Sequence, residues 1–542
     1  MSVKNVAGRL LGSTKADFCF IGGILLCVLY FVAVVIMVMT AGRPFGYPLD
    51  DTYIHMDLAR TLATSGIWGV SATAPAAASS SPLWTLILAG AYVLHPGAAF
   101  FYVSLMLNII AACGLIMLLL TMFKPQPASV ALTAAIAFAA SLPSLSIVGM
   151  EHVLHTLLAT ALCFVACRSI AQPPKGTGVG NLAWIGLLAG LSVAARYESL
   201  FLVAPLIALS AIRLRLPTAT VLCVGAALPV LGFGLLWIHS GGWLLPNSLI
   251  LKTHFIEEAG EIVQLRHALR AMLGSFHKTA FAGGFAATLL GLGGLLVWHL
   301  FRRRQLWKTP VLFALCALVA TGGHFAFAGI GWLYRYEAWL IVLDAAAICL
   351  LAESLFEHKE LLAVAGSLVL VFSYRTAMAT LDTIQAIDDR RLEHLPPAHF
   401  VAANYAGETV VVSDIGAMAW FAPQTRVLDL FGIGNNEPVR LRLTPAGYDS
   451  AALRDWAMQN NARIAVVQPC WEEVKSLLPI EWKLVATWHV RRNVVFEDLL
   501  VAFFAIAPGE QEHLRKALEQ LPLPSGVVLK LDPPRTALLE CR

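Results

Sequence analysis

Gly46-Tyr-Pro-Leu-Asp-Asp-Thr-Tyr-Ile-His55 comes a few residues after the first long uncharged run of the chain, Phe18 to Thr40. It holds two adjacent carboxylates, Asp50 and Asp51, in a chain of 542 residues of which only 13% are charged. A carboxylate just outside a bilayer serves as a base, as a metal ligand or as a cap on the helix that follows. The residues alone leave these three open. From here to Arg60 the pattern Asp-x3-His-x4-Arg predicts an amphipathic helix lying at the membrane interface, with His55 and Arg60 on it.

The rest of the sequence supplies the membrane. Hydrophobic residues make up 58% of the chain, and runs of ~20 apolar residues recur, each able to cross a ~30 Å hydrocarbon core. A polytopic α-helical membrane protein follows. The formal charge of +4 gives no reason to expect a nucleic-acid partner. Lys4, Arg9 and Lys15 precede a first run too long for a signal-peptide core, so it reads as an uncleaved span with its basic end in the cytoplasm.

Eleven spans are predicted: Phe18–Thr40, Ala98–Phe123, Ala128–Val148, Val153–Cys167, Leu182–Ala195, Leu200–Ile212, Thr218–His239, Ala280–Leu300, Val311–Ile330, Ala338–Glu353 and Leu361–Ala377. Basic clusters at Lys124, Arg168 with Lys175, Arg213 with Arg215, Arg302 to Lys308, and Lys359 then all face the cytoplasm. The N-terminus is inside, and the chain after residue 380 is outside. Pro82 to Leu94 is apolar but short, and reads as a re-entrant or interfacial helix. The division is a membrane domain, 1–380, with large outer loops at 41–81 and 240–279, and an extracytoplasmic α/β domain, 381–542. In the latter, β-type runs at Thr409–Val412, Arg463–Val467, Leu499–Ile506 and Gly526–Leu531 alternate with helical stretches at Ala451–Gln459 and Gln511–Gln520. Eight of the ten cysteines lie in apolar runs as packing residues; Cys470 and Cys541 lie in the outer domain, where a disulfide between them is permitted.

Further charges sit where charges are costly. Arg196 and Glu198 interrupt the apolar stretch Leu182–Arg213, and Arg335, Tyr336 and Glu337 repeat the arrangement. Each Arg either pairs with its neighbouring Glu or serves an anionic ligand. Lys252 and His254 follow Leu245-Pro-Asn-Ser248 in the second outer loop. Two or three of these cations converging near the aspartates would suit a phosphate at the membrane. His324 reads as a satisfied core residue. No P-loop, dinucleotide fingerprint, His-Glu-x-x-His or Cys-x-x-Cys is present, which leaves nucleotide-driven transport and zinc proteolysis unsupported.

These residues together resemble a family. Asp50-Asp-x-Tyr-Ile-x4-Ala-Arg60 directly after a first span is similar to the GT-C superfamily of polyprenyl-phosphate-dependent glycosyltransferases. The fit is closest to the branch of the mycobacterial terminal arabinofuranosyltransferases. Ser81-Pro-Leu-Trp-Thr-Leu86, Gly149-Met-Glu-His152, Arg196-Tyr-Glu198, Leu245-Pro-Asn-Ser248 with Lys252, Arg335-Tyr336, Ser413–Ala419 and Val427–Gly432 carry the resemblance further along the chain.

The resemblance implies a GT-C-like membrane core in a bacterial plasma membrane, with its active site outside the cytoplasm. The donor would be a sugar on a polyprenyl phosphate, arabinofuranose or another pentose or hexose. The acceptor would be a cell-envelope glycan or lipid hydroxyl. Asp50 or Asp51 would be the base, Asp50 being favoured, and transfer would invert the anomeric centre. His55, Arg60, Arg196, Glu198, Lys252, His254, Arg335 and Tyr336 would bind donor phosphate or sugar. No metal is required, the alternative being Mg or Mn on Asp50 and Asp51. His55 stands where many relatives have an aromatic residue, and the Ala-rich tract before Ser79 is unusual, so the sugar is not fixed by the motif. The competing classes are a transporter or flippase for lipid-linked sugars, which would show internal repeats, and a non-catalytic envelope assembly protein, which would not need Arg196 and Arg335 inside the spans.

Overall fold

Apolar runs of sufficient length become helices because only a helix satisfies its own backbone in hydrocarbon. The computed structural model of the chain describes residues 14–42, 44–72, 74–172, 178–252, 284–444, 447–495 and 499–539. Among them, eight helices are long and apolar enough to cross a membrane: Asp17–Thr40, Ala98–Met122, His152–Ala171, Leu216–His239, Phe285–Arg303, Thr309–Phe327, Ala338–Leu355 and His358–Asn404. The other three expected spans form the shorter helices Pro127–Ala139, Val179–Ala195 and Tyr197–Ile212.

The interruptions of these apolar stretches have local causes. The stretch Ala128–Val148 breaks at Ser141, which takes a left-handed φ of 51°, and Pro143 restarts a short helix, Leu142–Ile147. Arg196 is extended, at φ −158° and ψ 134°, and cuts the stretch Leu182–Arg213 in two. Pro82–Leu94 is a helix of 13 residues, as expected.

The chain forms two compact units: Met1–Val38, Leu105–Gly232 and Gly260–Leu381; and Met39–Ser104, Phe233–Ala259 and Asp382–Arg542. One boundary falls between Leu381 and Asp382, where the composition changes. The first outer loop and the described start of the second, residues 240–252, however, group with the C-terminal α/β part.

The first unit is helical. Its helices approach closely at Gly225, where a Cβ would lie 2.2 Å from the Gly186 carbonyl oxygen. This is the small-residue packing that membrane helices use in place of hydrophobic drive.

In the second unit six strands form one sheet in the order β2-β1-β3-β5-β4-β6. They are β1 (Thr409–Val412), β2 (Arg426–Asp429), β3 (Ala462–Val467), β4 (Lys483–His489), β5 (Leu500–Ala505) and β6 (Val528–Leu531). β1 pairs in parallel with β2 and β3, and the remaining pairs are antiparallel. Sheet residues are apolar on both faces because both are covered. Leu453, Trp456, Val474 and Leu477 from two helices cover one face. The other packs with Ile54, Leu58, Trp68, Val70 and Ala78 from the first outer loop. That apolar contribution is why the loop belongs to this unit.

Candidate functional site

The three parallel strands end together. β1 runs into Ser413-Asp-Ile-Gly416, β2 ends at Asp429, and β3 runs into Gln468. The chain passes from β1 to β2 on one side and then crosses to β3 on the other, so the carboxyl end of β1 is the switch point where α/β sheets commonly bind ligands. Gln468 N donates to Ser413 Oγ at 2.9 Å, and the Ser413 hydroxyl returns a bond to the Gln468 side chain. Asp429 accepts from Phe431 N at 2.8 Å and Gly434 N at 2.7 Å, which shapes the loop after β2.

Asp50 and Asp51 occupy the first turn of the helix Asp50–Ser65, whose N-cap is Leu49 with no side-chain cap bond. Asp50 instead caps another helix. Its Oδ2 accepts from Gly416 N at 2.6 Å and its Oδ1 from Ala417 N at 2.8 Å, at the start of the helix Gly416–Phe421. Arg60, on the same helix as Asp50, serves the opposite end. Its guanidinium donates to Ala419 O at 2.8 Å and Trp420 O at 2.9 Å, lies 4.7 Å from the Trp420 ring and pairs with Asp57. An anion at the N-terminus and a cation at the C-terminus are the signs that the helix dipole favours.

His394 donates from Nε2 to Asp414 Oδ2 at 2.5 Å, and its Nδ1 lies 2.8 Å from Arg390 Nη1 and 3.4 Å from Glu393 Oε2. Arg390 also reaches Asp414 Oδ2 at 3.4 Å and Pro48 O at 3.3 Å. Burial first, and then the Asp414 charge, push the Asp50 carboxyl up to about 6, against His394, Arg390 and the Ala417 N–H. Burial also pushes Asp414 up, but the bond from His394 and the charges of His394 and Arg390 outweigh it and hold Asp414 below its ordinary value. Asp51 is half-buried and near enough for its charge to act on Asp414.

The remaining sequence candidates of this unit are placed as follows. His55 is buried, with Nδ1 at 3.4 Å from both Ser79 Oγ and Thr85 Oγ1, inside the first outer loop. Lys252 ends the helix Asn247–Lys252. Asn247 ties that helix to Gly432 O at 3.0 Å and, through its own N–H, to Ala77 O at 3.0 Å. Cys470 is in a disulfide. His254 and Cys541 lie outside the described residues. Arg390 and His394 were not singled out by sequence, although the charge-dense run Asp388-Asp-Arg-Arg-Leu-Glu-His394 after an apolar helix was a usable signal, and Asp414 entered only as part of the stretch Ser413–Ala419 without a role.

The first unit holds a separate buried cluster. Arg196 donates to Glu151 Oε1 at 2.6 Å and His152 Nε2 at 3.0 Å, and pairs with Glu198. Arg335 donates to the Tyr336 hydroxyl at 3.1 Å and lies 4.9 Å from that ring's centre. Glu337 does not repeat the Arg196–Glu198 pairing: its carboxylate takes Arg375 at 3.1 Å and Gly331 N at 2.8 Å. Arg335 follows three consecutive left-handed residues, Trp332, Leu333 and Tyr334, with φ of 46°, 57° and 60°. Each such residue costs roughly 1–2 kcal/mol, and Arg375 pins the turn by donating to Tyr334 O at 2.7 Å. His324 bonds Gly329 O through Nε2 at 3.0 Å, but its Nδ1 is buried without a hydrogen-bond partner among the described residues, so the expected satisfied core histidine is only half satisfied.

Comparison with solved structures places the fold. ArnT from Cupriavidus metallidurans in the apo state superposes over 89% of this chain and 98% of its own, with a TM-score of 0.54 and 14% identity. The same protein bound to undecaprenyl phosphate matches over 90% and 98%, with a TM-score of 0.52 and 14% identity. The chain has a GT-C-like fold. The arabinofuranosyltransferase AftD from Mycobacteria also matches, over 90% of this chain and 42% of its own, with a TM-score of 0.45 and 13% identity. A family model described as Domain of unknown function (DUF8728) matches residues 385–504. No curated protein matches the sequence.

Within this GT-C-like fold, residues 385–504 include Arg390, His394, Asp414 and Gln468, so the matched domain contains the strand-end cluster and not Asp50. Asp50 commits one lone pair of each carboxylate oxygen to a backbone N–H, that of Gly416 and that of Ala417. Among the described residues no group of three or more His, Cys, Asp or Glu side chains is arranged to hold a metal ion.

Proposed function

We propose that the protein is an inverting glycosyltransferase, using a polyprenyl-phosphate sugar as donor and a hydroxyl of an envelope glycan or lipid as acceptor, on the extracytoplasmic side of a bacterial plasma membrane. The observation that carries this reading is the placement of Asp51. On a fold shared with ArnT, one structure of which holds undecaprenyl phosphate, a half-buried carboxylate stands beside a buried Asp50 whose two oxygens are already engaged.

Asp51 rather than Asp50 is therefore the base. It takes the acceptor's hydroxyl proton as the oxygen attacks the anomeric carbon. The bond from that carbon to the phosphate oxygen breaks, and the electron pair leaves with the polyprenyl phosphate. A phosphate leaves as an anion, so no protonating acid is needed, unlike the two-carboxylate arrangement of glycoside hydrolysis. Asp414, His394 and Arg390 position the helix start that bears Asp51. Within the same unit Lys252 is the candidate cation for the phosphate. In the first unit Arg335, held on a strained turn, is a candidate for an anionic group; strain of this kind collects at functional positions. Donor sugars are pentoses or hexoses, arabinofuranose among them.

The test is incubation of the purified protein with radiolabelled polyprenyl-phosphate pentoses and hexoses and an envelope-glycan acceptor. Release of polyprenyl phosphate with sugar in the product at inverted configuration is the expected result. No turnover with any donor, by protein that retains its fold, would reject the enzyme reading.

A further inference from the structure

The second unit contains a cavity of about 260 Å³ apart from the strand-end cluster. Its wall combines Trp456 with the polar side chains of Arg426, Asn436, Glu437, Arg440 and Asn460. Residues 74–75 of the first outer loop and 240–241 of the second complete it. Three separated stretches of sequence thus build one concave site within the unit.

We propose that this cavity is a sugar-binding subsite that holds one neutral ring of the acceptor glycan; this rests on the glycosyltransferase reading above. Size argues first. Pockets for drug-sized ligands run roughly 300–1,000 Å³, so this one is suited to a single ring rather than a prenyl chain or a nucleotide.

Chemistry argues second. A sugar ring presents an apolar C–H face and a rim of hydroxyls that both donate and accept. Trp456, largely buried against the sheet, supplies the aromatic part of the wall for the first. Planar amide, carboxylate and guanidinium groups serve the second, and an Asn amide has two donors and two acceptor lone pairs. The internal bonds hold these groups in place. Asn460 Oδ1 accepts from Arg426 at 2.8 Å while its Nδ2 donates to Trp456 O at 2.8 Å. Asn436 Oδ1 accepts from Asn247 at 3.0 Å, and Arg440 pairs with Glu437 at 2.7 Å. Charge argues third: with Glu437 balancing Arg440, the wall is not a concentrated anion site.

Position argues last. Asn435 lines the cavity and its Oδ1 accepts from Asp429 N at 2.6 Å, so the cavity adjoins the loop at the strand ends.

The experiment uses the full chain in detergent, with a panel of soluble neutral pentose and hexose oligosaccharides as probes, followed by saturation-transfer NMR. The variant is Glu437→Ala/Arg440→Ala. It removes both members of an exposed pair, of a kind that contributes little to stability. Arg426→Ala, at an exposed position, is the second variant. The expected result is binding by the wild type that weakens about tenfold or more in both variants, with acceptor KM raised to match and donor hydrolysis unchanged. Absence of oligosaccharide binding by the wild type, or equal binding and equal acceptor KM in the variants, overturns the subsite. If the wild type binds oligosaccharide here but transfers nothing, the enzyme reading fails and the subsite stands.

Discussion

Asp50 and Gly416 are in contact across 366 positions of sequence: Gly416 N donates to Asp50 Oδ2 at 2.6 Å, and a Cβ on Gly416 would lie 2.1 Å from the Asp50 carbonyl oxygen. The glycine is needed for the close approach, since a methyl group would have to displace backbone. Gly416→Ala is therefore expected to open the junction between the helices Asp50–Ser65 and Gly416–Phe421. Asp50→Asn keeps the shape but turns an NH₂ toward an N–H, and is expected to cost about 1–3 kcal/mol. Both variants should melt below the wild type in detergent and expose the first outer loop to protease. Unchanged melting in both would mean that the junction is not a structural tie.

Stability should depend on pH with a defined sign. Burial pushes Asp57 and Asp429 up to about 6, as it does Asp50, with the Arg60 charge and the Gly434 N–H respectively pulling back. A carboxyl raised in the folded state binds its proton more tightly there than when unfolded. Its contribution is fully present below the unfolded value near 3.9 and is lost as pH rises through about 6. The melting temperature should therefore fall between pH 4 and pH 6. Asp57→Asn should flatten this slope, so that the variant gains on the wild type as pH rises. Parallel melting curves across that window would contradict the assignment.

Arg375 is the pin of the first unit's strained turn. It reaches Glu337, Tyr334 O and, on the other side, Ser141 Oγ at 3.2 Å and Ala139 O at 3.4 Å, where the helix Pro127–Ala139 ends. Arg375→Ala leaves a buried carboxylate and two carbonyls without this donor, a change that typically costs roughly 3–5 kcal/mol. Arg375→Lys should rescue little, because one ammonium cannot serve both sides as the guanidinium fork does. Thermal inactivation of the two variants would measure this, and a lysine variant as stable as the wild type would show that the fork is dispensable.

What the sequence made legible follows from what each signal depends on. The helical membrane class was readable because apolar run length is a local property, as was the helix starting at Asp50. Strands β1, β3, β5 and β6 were readable as short runs rich in β-branched or aromatic residues. β2, Arg-Val-Leu-Asp, lacks such a run and is made a strand by its neighbour β1, whereas β4 carries Val485, Thr487 and Trp488, a usable signal that was not singled out from the sequence. The Arg196–Glu198 pair is two residues apart and was foreseeable. Glu337 takes Arg375, 38 residues away, instead of Arg335, a tertiary contact that the two-residue spacing does not show. The cap that Asp50 places on the helix Gly416–Phe421 is a tertiary contact, and the sequence suggested only a cap on its own helix.

Asp50 and Asp51 are adjacent, yet their variants should part. Asp51→Asn removes the proposed base from a half-buried position without touching the bonds to Gly416 and Ala417. Loss of a positioned general base costs typically ~10²–10⁴-fold in rate, so transfer should fall by that much while the melting temperature falls less than in Asp50→Asn. Asp50→Asn should lower both, because it perturbs the element that carries Asp51. Measuring kcat and melting temperature on the same preparations separates the two roles. If Asp51→Asn retains full activity while Asp50→Asn loses it at unchanged melting temperature, the roles are exchanged, and Asp50 must leave its two N–H donors to take the proton.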